Sequence, residues 1–371
     1  MRIEPKKTII LSGGGSGGSV TTLLAIVQEL IKDKANLNFV FIGTKKGPEK
    51  NIVAAFEIKG EKIDFVTLPS GKFRRYFSFK NFFDFFKIFY AFLISFFIIN
   101  KTKPDLVISA GGFVSVPLVW AAYFKKIPIL IHQQDVRPGL ANRLMAPFAR
   151  IITVTFEKSL RDYGPRAVWI GNPSNRLIVD ESLILNIKEK YHLITGKPLI
   201  LVTGGGTGAN AVNDLVIKAV SKLIPNNQII HLTGKGKLSA EIKAKADFNY
   251  QPFELLSNDD VVGLMAIASL VISRCGLATL TELCELEKPA ILIPMPDSHQ
   301  EDNAVIFKKA KAAIVLDQKN LSVDELASQI KEILIDKEKR NKLSLNIGKI
   351  MKKDATETMV SLIWEILASK K

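Results

Sequence analysis

Short β-rich apolar runs alternate with helix-length amphipathic segments along the whole chain. Thr8-Ile9-Ile10-Leu11, Phe39-Val40-Phe41-Ile42, Leu106-Val107-Ile108 and Ile129-Leu130-Ile131 each predict a strand, and the segments between them are long enough for helices. That alternation is the signature of βαβ units and a parallel sheet. Further strands are predicted at 228–231, 270–273 and 290–293. The opening occurs twice: an apolar strand, a Gly-rich turn and an apolar-periodic helix start at Thr8 and again at Leu199. Gly13 and Gly204 are roughly 190 residues apart, so each half has room for one doubly wound domain. The predicted fold class is α/β, with two Rossmann-like doubly wound parallel-sheet domains. A strand ending at Trp169-Ile170 and the turn signal Gly171-Asn172-Pro173 place the boundary after 171. The second domain is expected over 172–343. A lysine-rich helix over 344–371 carries Ile347, Ile350, Met351, Met359, Leu362 and Ile366 on an apolar side that must pack elsewhere. Ligands of open parallel sheets bind at the carboxyl ends of the strands, so two facing domains imply a cleft.

Composition adds three constraints. With 47% hydrophobic and 23% charged residues, 371 residues are ordinary globular material. The net charge of +15 favours acidic partners: phosphorylated ligands, anionic lipid or nucleic acid. No RRM, KH or zinc-finger signature is present and the lysines are scattered, which argues against nucleic acid. Two cysteines, Cys275 and Cys284, make no disulfide framework and fit a reducing compartment. No signal-peptide h-region precedes the first strand.

One segment departs from the soluble pattern. Eleven of the 22 phenylalanines lie between Phe73 and Phe97. Its uncharged part, Ile88 to Asn100, is shorter than the ~20 residues of a spanning helix, and Asp84 and Lys87 interrupt any longer span. Lys72, Arg74, Arg75, Lys80 and Lys87 flank it. An apolar face beside basic residues predicts an interfacial helix on an anionic membrane, with a helix pair buried in the core as the alternative.

The glycine turns carry the candidate chemistry. Gly13 to Gly18 satisfies G-x-G-x-x-G after a strand, where bare backbone N–H groups at a helix start receive a phosphate. A dinucleotide site also needs an acid after the second strand; Gly43-Thr44-Lys45-Lys46 has none, which leaves only an NADP variant open. Gly204-Gly205-Gly206-Thr207-Gly208 repeats the donors and adds a hydroxyl. Arg274-Cys275-Gly276-Leu277-Ala278-Thr279 follows another strand, and Glu282 comes about one turn into the helix after it. A carboxylate there accepts hydrogen bonds from vicinal ribose hydroxyls, or simply complements the helix dipole. Asp297 to Ala304 brings polar side chains suited to a sugar, or an ordinary capped helix start.

Gly14 to Gly18, Gly111-Gly112-Phe113-Val114-Ser115-Val116-Pro117, His132-Gln133-Gln134-Asp135, Gly171-Asn172-Pro173, Gly204 to Ala209, Arg274 to Glu282, and His299-Gln300 with Asn303-Ala304 occur in the order seen in the MurG family. The chain resembles that family over essentially its whole length. The resemblance implies a GT-B fold, with the final helix crossing back to the N-terminal domain. It implies inverting transfer of N-acetylglucosamine (GlcNAc) from UDP-GlcNAc to a polyprenyl-diphosphate-linked acceptor, lipid I to lipid II of peptidoglycan synthesis. No metal or other cofactor is implied. By motif match, Gly206, Thr207 and Gly208 meet the diphosphate, Phe253 covers the uracil, Glu282 binds the ribose, and Arg274 belongs to the same UDP-GlcNAc site. Leu277, Ala278 and Thr279 lie along the diphosphate and sugar, and Gln300 meets GlcNAc hydroxyls. Gly14, Gly15, Ser16, Gly17, Gly18, Gly111, Gly112 and Ser115 meet the acceptor. The family's membrane patch falls in the Phe-rich region, which implies peripheral association with the cytoplasmic face of the plasma membrane.

The chain departs from the family where a general base is needed. The family reads GGTGGH in the first loop, and its histidine position is Ser19 here, a poor base at neutral pH. The family's HEQN is His132-Gln133-Gln134-Asp135, so one carboxylate is lost and another appears two positions later. Asp135 is the expected base, with His132 as an orienting group or second candidate. The basic residue after Gly-Asn-Pro is displaced to Arg176. These changes keep two alternatives in view: another inverting transferase with a different lipid acceptor, and a UDP-sugar-binding protein with a degraded catalytic site. A UDP-sugar 2-epimerase shares the two-domain architecture but needs no lipid surface.

Overall fold

In the first strand, Ile9 and Leu11 point to one face of a sheet and Ile10 to the other, and all three are fully buried. A sheet covered on both faces follows. The computed structural model describes residues 6–15, 17–33, 36–56, 62–69, 79–206 and 208–369, without the side chains of 79–85. The chain divides into two units, one of Met1–Asn175 with Lys352–Lys371 and one of Arg176–Met351.

The first unit runs β1 (Lys7–Ser12), α1 (Gly17–Lys32), β2 (Leu37–Gly43), α2 (Glu49–Ala54), β3 (Asp64–Thr67), α3 (Phe79–Thr102), β4 (Leu106–Ser109), α4 (Ser115–Phe124), β5 (Ile129–Gln133), α5 (Leu140–Met145), β6 (Ile151–Val154) and β7 (Ala167–Trp169). Its strands pair in parallel in the order β3-β2-β1-β4-β5-β6-β7. The second unit runs α6 (Glu181–Lys190), β8 (Leu199–Thr203), α7 (Asn210–Leu223), β9 (Gln228–Leu232), α8 (Ala240–Ala244), β10 (Tyr250–Phe253), α9 (Asn258–Ile267), β11 (Leu270–Ser273), α10 (Leu277–Glu285), β12 (Ala290–Leu292), α11 (His299–Lys309), β13 (Ile314–Val315), α12 (Val323–Ile335) and α13 (Lys337–Ile347). Its parallel order is β10-β9-β8-β11-β12-β13. The direction of winding reverses between β1 and β4 in one sheet and between β8 and β11 in the other. Ligands of such sheets bind at that reversal, beyond the carboxyl ends of the strands. Both Gly-rich turns and both partner loops predicted from the sequence lie there.

The last helix, α14 (Ala355–Ala368), belongs to the first unit. Its Met359, Ile363 and Ile366 join Val20, Leu23, Val27 and Leu30 of α1 in the core over one sheet face. The single helix expected from Ser344 is therefore two. Ser344 lies inside α13, and the chain returns to the first unit at Lys352. The return is pinned: Gly171 (φ +89°) lets the Lys352 carbonyl so close that a Cβ there would sit 2.4 Å from it. The Lys352 ammonium lies 4.9 Å from the Trp169 ring centroid. Ser174 N donates to the Thr356 hydroxyl, which donates back to Ser174 O.

The other face of the first sheet carries α3 and α4. Ala91, Ser95 and Ile99, four residues apart, form the buried stripe of α3. Phe86, Phe89, Tyr90, Leu93 and Phe97 stay exposed, Phe97 by 75%. Over Phe79–Thr102 the segment is thus one helix with an open aromatic face, not a buried pair. Residues 70–78 of the Phe-rich stretch lie outside the described residues. No helix among the described residues is long and apolar enough to cross a membrane.

Candidate active site

In the first unit, two glycine loops meet at the reversal. Gly112 (φ +94°) approaches the first loop so closely that a Cβ would lie 2.7 Å from Gly14 O. Only glycine permits this contact. Gly15 also adopts a positive φ, and Gly17 and Gly18 open α1 with no acidic side chain in its first turn. Ser16 lies outside the described residues. Ser115 is buried and donates to Ser12 Oγ (2.9 Å) or Gly111 O (3.0 Å). It therefore ties the loops to β1 rather than facing a ligand. Ser19, in the first turn of α1, is also buried.

The end of β5 is fastened to the same turn. Gln134 Nε2 donates to Gly18 O (3.2 Å) and Thr22 Oγ1 (2.9 Å). The Thr22 hydroxyl lies 3.4 Å from Asn172 Oδ1, which is 3.3 Å from His132 Nε2. An amide oxygen only accepts, so the His132 proton sits on Nε2 and Nδ1 accepts from the Thr153 hydroxyl at 3.0 Å. His132 has no exposed surface, and burial lowers its pKa to about 4 against a raising bond from Asn172. Both ring nitrogens are engaged inside the protein. His132 thus orients its neighbours and does not meet a substrate. Asp135, two residues beyond β5, is half-buried on the loop that Gln134 anchors. Thr22 was not singled out from the sequence, and Gln134 only as part of its motif, because only the folded chain brings positions 112 apart into contact.

Glu49, also unflagged, is fully buried beneath the β2–α2 turn. Its Oε1 accepts from Thr44 N (2.7 Å) and Thr44 Oγ1 (2.5 Å).

In the second unit, the helix starts separate into two kinds. Asp180, Ser239, Ser257, Ser298, Ser322 and Asp336 cap α6, α8, α9, α11, α12 and α13 with their own side chains. The N-cap residues of α7 and α10, Ala209 and Gly276, offer no side-chain bond. These are the helices that follow β8 and β11 at the reversal. Their first N–H groups and dipoles point to the carboxyl edge of the sheet, where an anion fits. Gly208 (φ +66°) leads into α7, and a Cβ there would lie 2.1 Å from Thr233 O. Lys237 Nζ donates to Gly208 O at 3.1 Å. Lys237 was missed, although Gly-Lys-Gly-Lys after a strand was a usable signal. Gly206 is exposed in the loop, and Thr207 lies outside the described residues.

Leu277, Ala278 and Thr279 form the first turn of α10, with Ala278 exposed. Glu282 follows in the next turn. Burial, with a contribution from the Glu285 carboxylate, raises its pKa from 4.5 to about 7. Phe253 closes β10 half-buried, held edge-on by Tyr191 (centroids 5.6 Å, 87° between planes). Gln300 Oε1 accepts from Cys275 N (3.2 Å) and Met295 N (3.1 Å), clasping the loops after β11 and β12. Its Nε2 has no partner among the described residues.

Arg274 differs from expectation. Its Nη1 reaches Ile293 O and Pro294 O at 3.0 Å each, and Nη2 donates to Gln318. The guanidinium is buried and braces the loop after β12 instead of facing UDP-GlcNAc.

Comparisons with known proteins agree with this layout. Residues 9–154 match the glycosyltransferase family 28 N-terminal domain, and 199–359 match the glycosyltransferase family 28 C-terminal domain. A UDP-N-acetylglucosamine–N-acetylmuramyl-(pentapeptide) pyrophosphoryl-undecaprenol N-acetylglucosamine transferase of Clostridium kluyveri is 36% identical over 96% of this chain and 99% of its own length. The crystal structure of Acinetobacter baumannii MurG superposes with a TM-score of 0.76 at 22% identity, covering 97% of this chain and 99% of that one. A UDP-GlcNAc 2-epimerase from Neisseria meningitidis bound to UDP-GlcNAc shares the fold at 14% identity (TM-score 0.67; 97% and 100% covered). The two parallel sheets are therefore those of a GT-B enzyme, and the chain belongs to the MurG family of glycosyltransferases.

Proposed function

We propose that this chain transfers GlcNAc from UDP-GlcNAc to undecaprenyl-pyrophosphoryl-MurNAc-pentapeptide, with inversion and without a metal. The observation that carries the reading is the pair of uncapped helix starts, α7 and α10, with Glu282 one turn beyond the second. The bond from the anomeric carbon to UDP breaks as the acceptor oxygen attacks from the opposite face. Charge developing on the leaving diphosphate meets the N–H groups at 277–279 and the glycine loop at 204–208. Glu282 accepts hydrogen bonds from the ribose hydroxyls, and Phe253 stacks on the uracil. In the first unit, Gly14 to Gly18 and Gly111 to Gly112 receive the acceptor diphosphate, and the Asp135 carboxylate takes the proton of the attacking hydroxyl.

The acceptor's lipid calls for a membrane surface. Phe86, Phe89, Tyr90, Leu93 and Phe97 of α3 supply an apolar face, with Tyr123 and Phe124 at the end of α4. Phe124 packs on Phe92 and Phe96, and Lys125 lies over the Phe96 ring. A groove of about 640 Å³ continues this face between Tyr123, Phe124 and Phe148, with Lys126 and Arg150 on its walls. Apolar rings flanked by cations suit an anionic bilayer. Two buried cysteines outside any disulfide fit a reducing compartment, and the proposed location is the cytoplasmic face of the plasma membrane.

The test is transfer of labelled GlcNAc by purified protein in detergent with EDTA throughout. Label entering lipid only when lipid I is added supports the proposal. Transfer to another lipid alone, or UDP-GlcNAc binding with no transfer by folded protein, replaces it with one of the alternatives above.

A further inference from the structure

Gln133 stands where the family has glutamate, and its amide is used completely. Nε2 donates to Asp135 O at 2.7 Å and to Arg137 O at 3.1 Å. Oε1 accepts from Asn142 Nδ2 at 2.6 Å and from the Tyr163 hydroxyl at 2.8 Å. The side chain is 2% exposed. Two carbonyl oxygens can only accept, so the NH2 end must face them. A glutamate of the same shape would set an oxygen against both carbonyls. Protonated, it could satisfy one of them; ionised, neither.

We propose that Gln133 is a positioning residue for the transfer step, its two N–H groups fixing the backbone on either side of Val136 so that the Asp135 carboxylate is held at the acceptor hydroxyl. The proposal rests on Asp135 as base. A carboxylate at 135 is useful only if its loop is rigid, and the amide at 133 supplies the donors that a carboxylate cannot. The loop is held at both ends, since Gln134 fastens its start to α1 and the Ser159 hydroxyl donates to Val136 O at 2.9 Å. The titratable groups around Gln133 are Asp135 and Arg137 on its own loop, His132 in β5, and the Tyr163 phenol, itself faced by Asp162 and by Arg143 of α5.

The experiment compares Gln133→Glu, Gln133→Met, Asp135→Asn and the double variant Gln133→Glu/Asp135→Asn, each shown to be folded by circular dichroism at the assay temperature. Steady-state transfer is measured from pH 6 to 9. For Gln133→Glu, kcat should fall about tenfold or more at pH 8.5 and recover toward pH 6 as Glu protonates, which gives the profile a descending alkaline limb. The KM for UDP-GlcNAc should stay within about twofold. Gln133→Met should lower kcat without that limb. In the Asp135→Asn background, Gln133→Glu should cost nothing further, because the two act through one group. A wild-type kcat in Gln133→Met, or losses that multiply in the double variant, overturns the positioning role while leaving Asp135 as base. Wild-type turnover in Asp135→Asn alone overturns the base itself.

Discussion

Glu282→Gln separates what the donor site needs from what the fold prefers. Desolvation of the carboxyl, with a smaller push from the Glu285 charge, raises its pKa from 4.5 to about 7. At about 1.4 kcal/mol per tenfold change in proton affinity, ionised Glu282 costs the empty protein on the order of 3 kcal/mol. The sign follows from proton counting. Between 4.5 and 7 the folded state holds the proton more tightly than the unfolded chain, so stability is full below about 4.5 and is lost as pH rises through 7. Glutamine has the same shape and no charge. Its advantage should therefore be near zero at pH 4.5 and grow to about 3 kcal/mol at pH 8, a rise in Tm of about 6–12 °C for a unit of this size. The same variant should bind UDP about tenfold to a hundredfold more weakly, having lost the charge on two ribose hydrogen bonds. In the wild type, the KM for UDP-GlcNAc should fall as pH rises through about 7. Thermal denaturation at pH 4.5 and 8, with calorimetric UDP titrations at pH 8, measures both effects. A stability gain equal at the two pH values, or UDP affinity unchanged by the substitution, would refute the reasoning.

Other consequences can be measured separately. Replacing Phe86, Phe89 and Phe97 together by serine removes roughly 100 Å² of exposed ring at each site, about 2 kcal/mol apiece, so binding to anionic vesicles should weaken by at least about a hundredfold with the fold intact; equal vesicle affinity refutes the membrane face. Gly208→Ala combines a left-handed φ with a clash on Thr233 O, and should cost about 2–4 kcal/mol in urea unfolding and abolish UDP binding; retained UDP affinity counts against the loop's role. His132 has its pKa lowered from 6.5 to about 4, so it contributes stability above 6.5 that is lost as pH falls toward 4. Its C2 proton should titrate near 4 by NMR, and a midpoint above 6 would contradict its buried, doubly bonded placement.

Much of the layout was legible in the chain because it depends on local pattern. Consecutive apolar runs such as 9–11 and 199–202 read as buried strands, and the glycines after them coincide with the two reversals of winding. Edge elements were not legible: β13 has two residues, and β3 is half-exposed along its length. The break between α13 and α14 was hidden because Ile347 and Met359 both fit a helical period, yet Ile347 stays with the second unit and Met359 joins the core of the first. Among the candidate site residues, the positions of Glu282 and of the helix starts that follow the glycine turns were legible from spacing alone. Arg274 was not, since its partners at 293, 294 and 318 come from the next strand and beyond. His132 and Gln133 likewise take their roles from Thr153, Asn172, Asn142 and Tyr163, none of them a neighbour in sequence.

The placement of α14 sets an order of assembly. The second unit is inserted in the first, whose helix α14 is translated only after the whole of the second unit. At about 5–20 residues per second, the interval between Asn175 and the last turn of α14 is roughly 10–40 s. Over that time the nascent first sheet has Val20, Leu23 and Val27 without the Met359, Ile363 and Ile366 that complete their core. The second unit has its own continuous segment and can close while the first waits. A premature stop shortly after 351 would therefore spare the unit being made when translation ended and damage the one begun at the amino terminus.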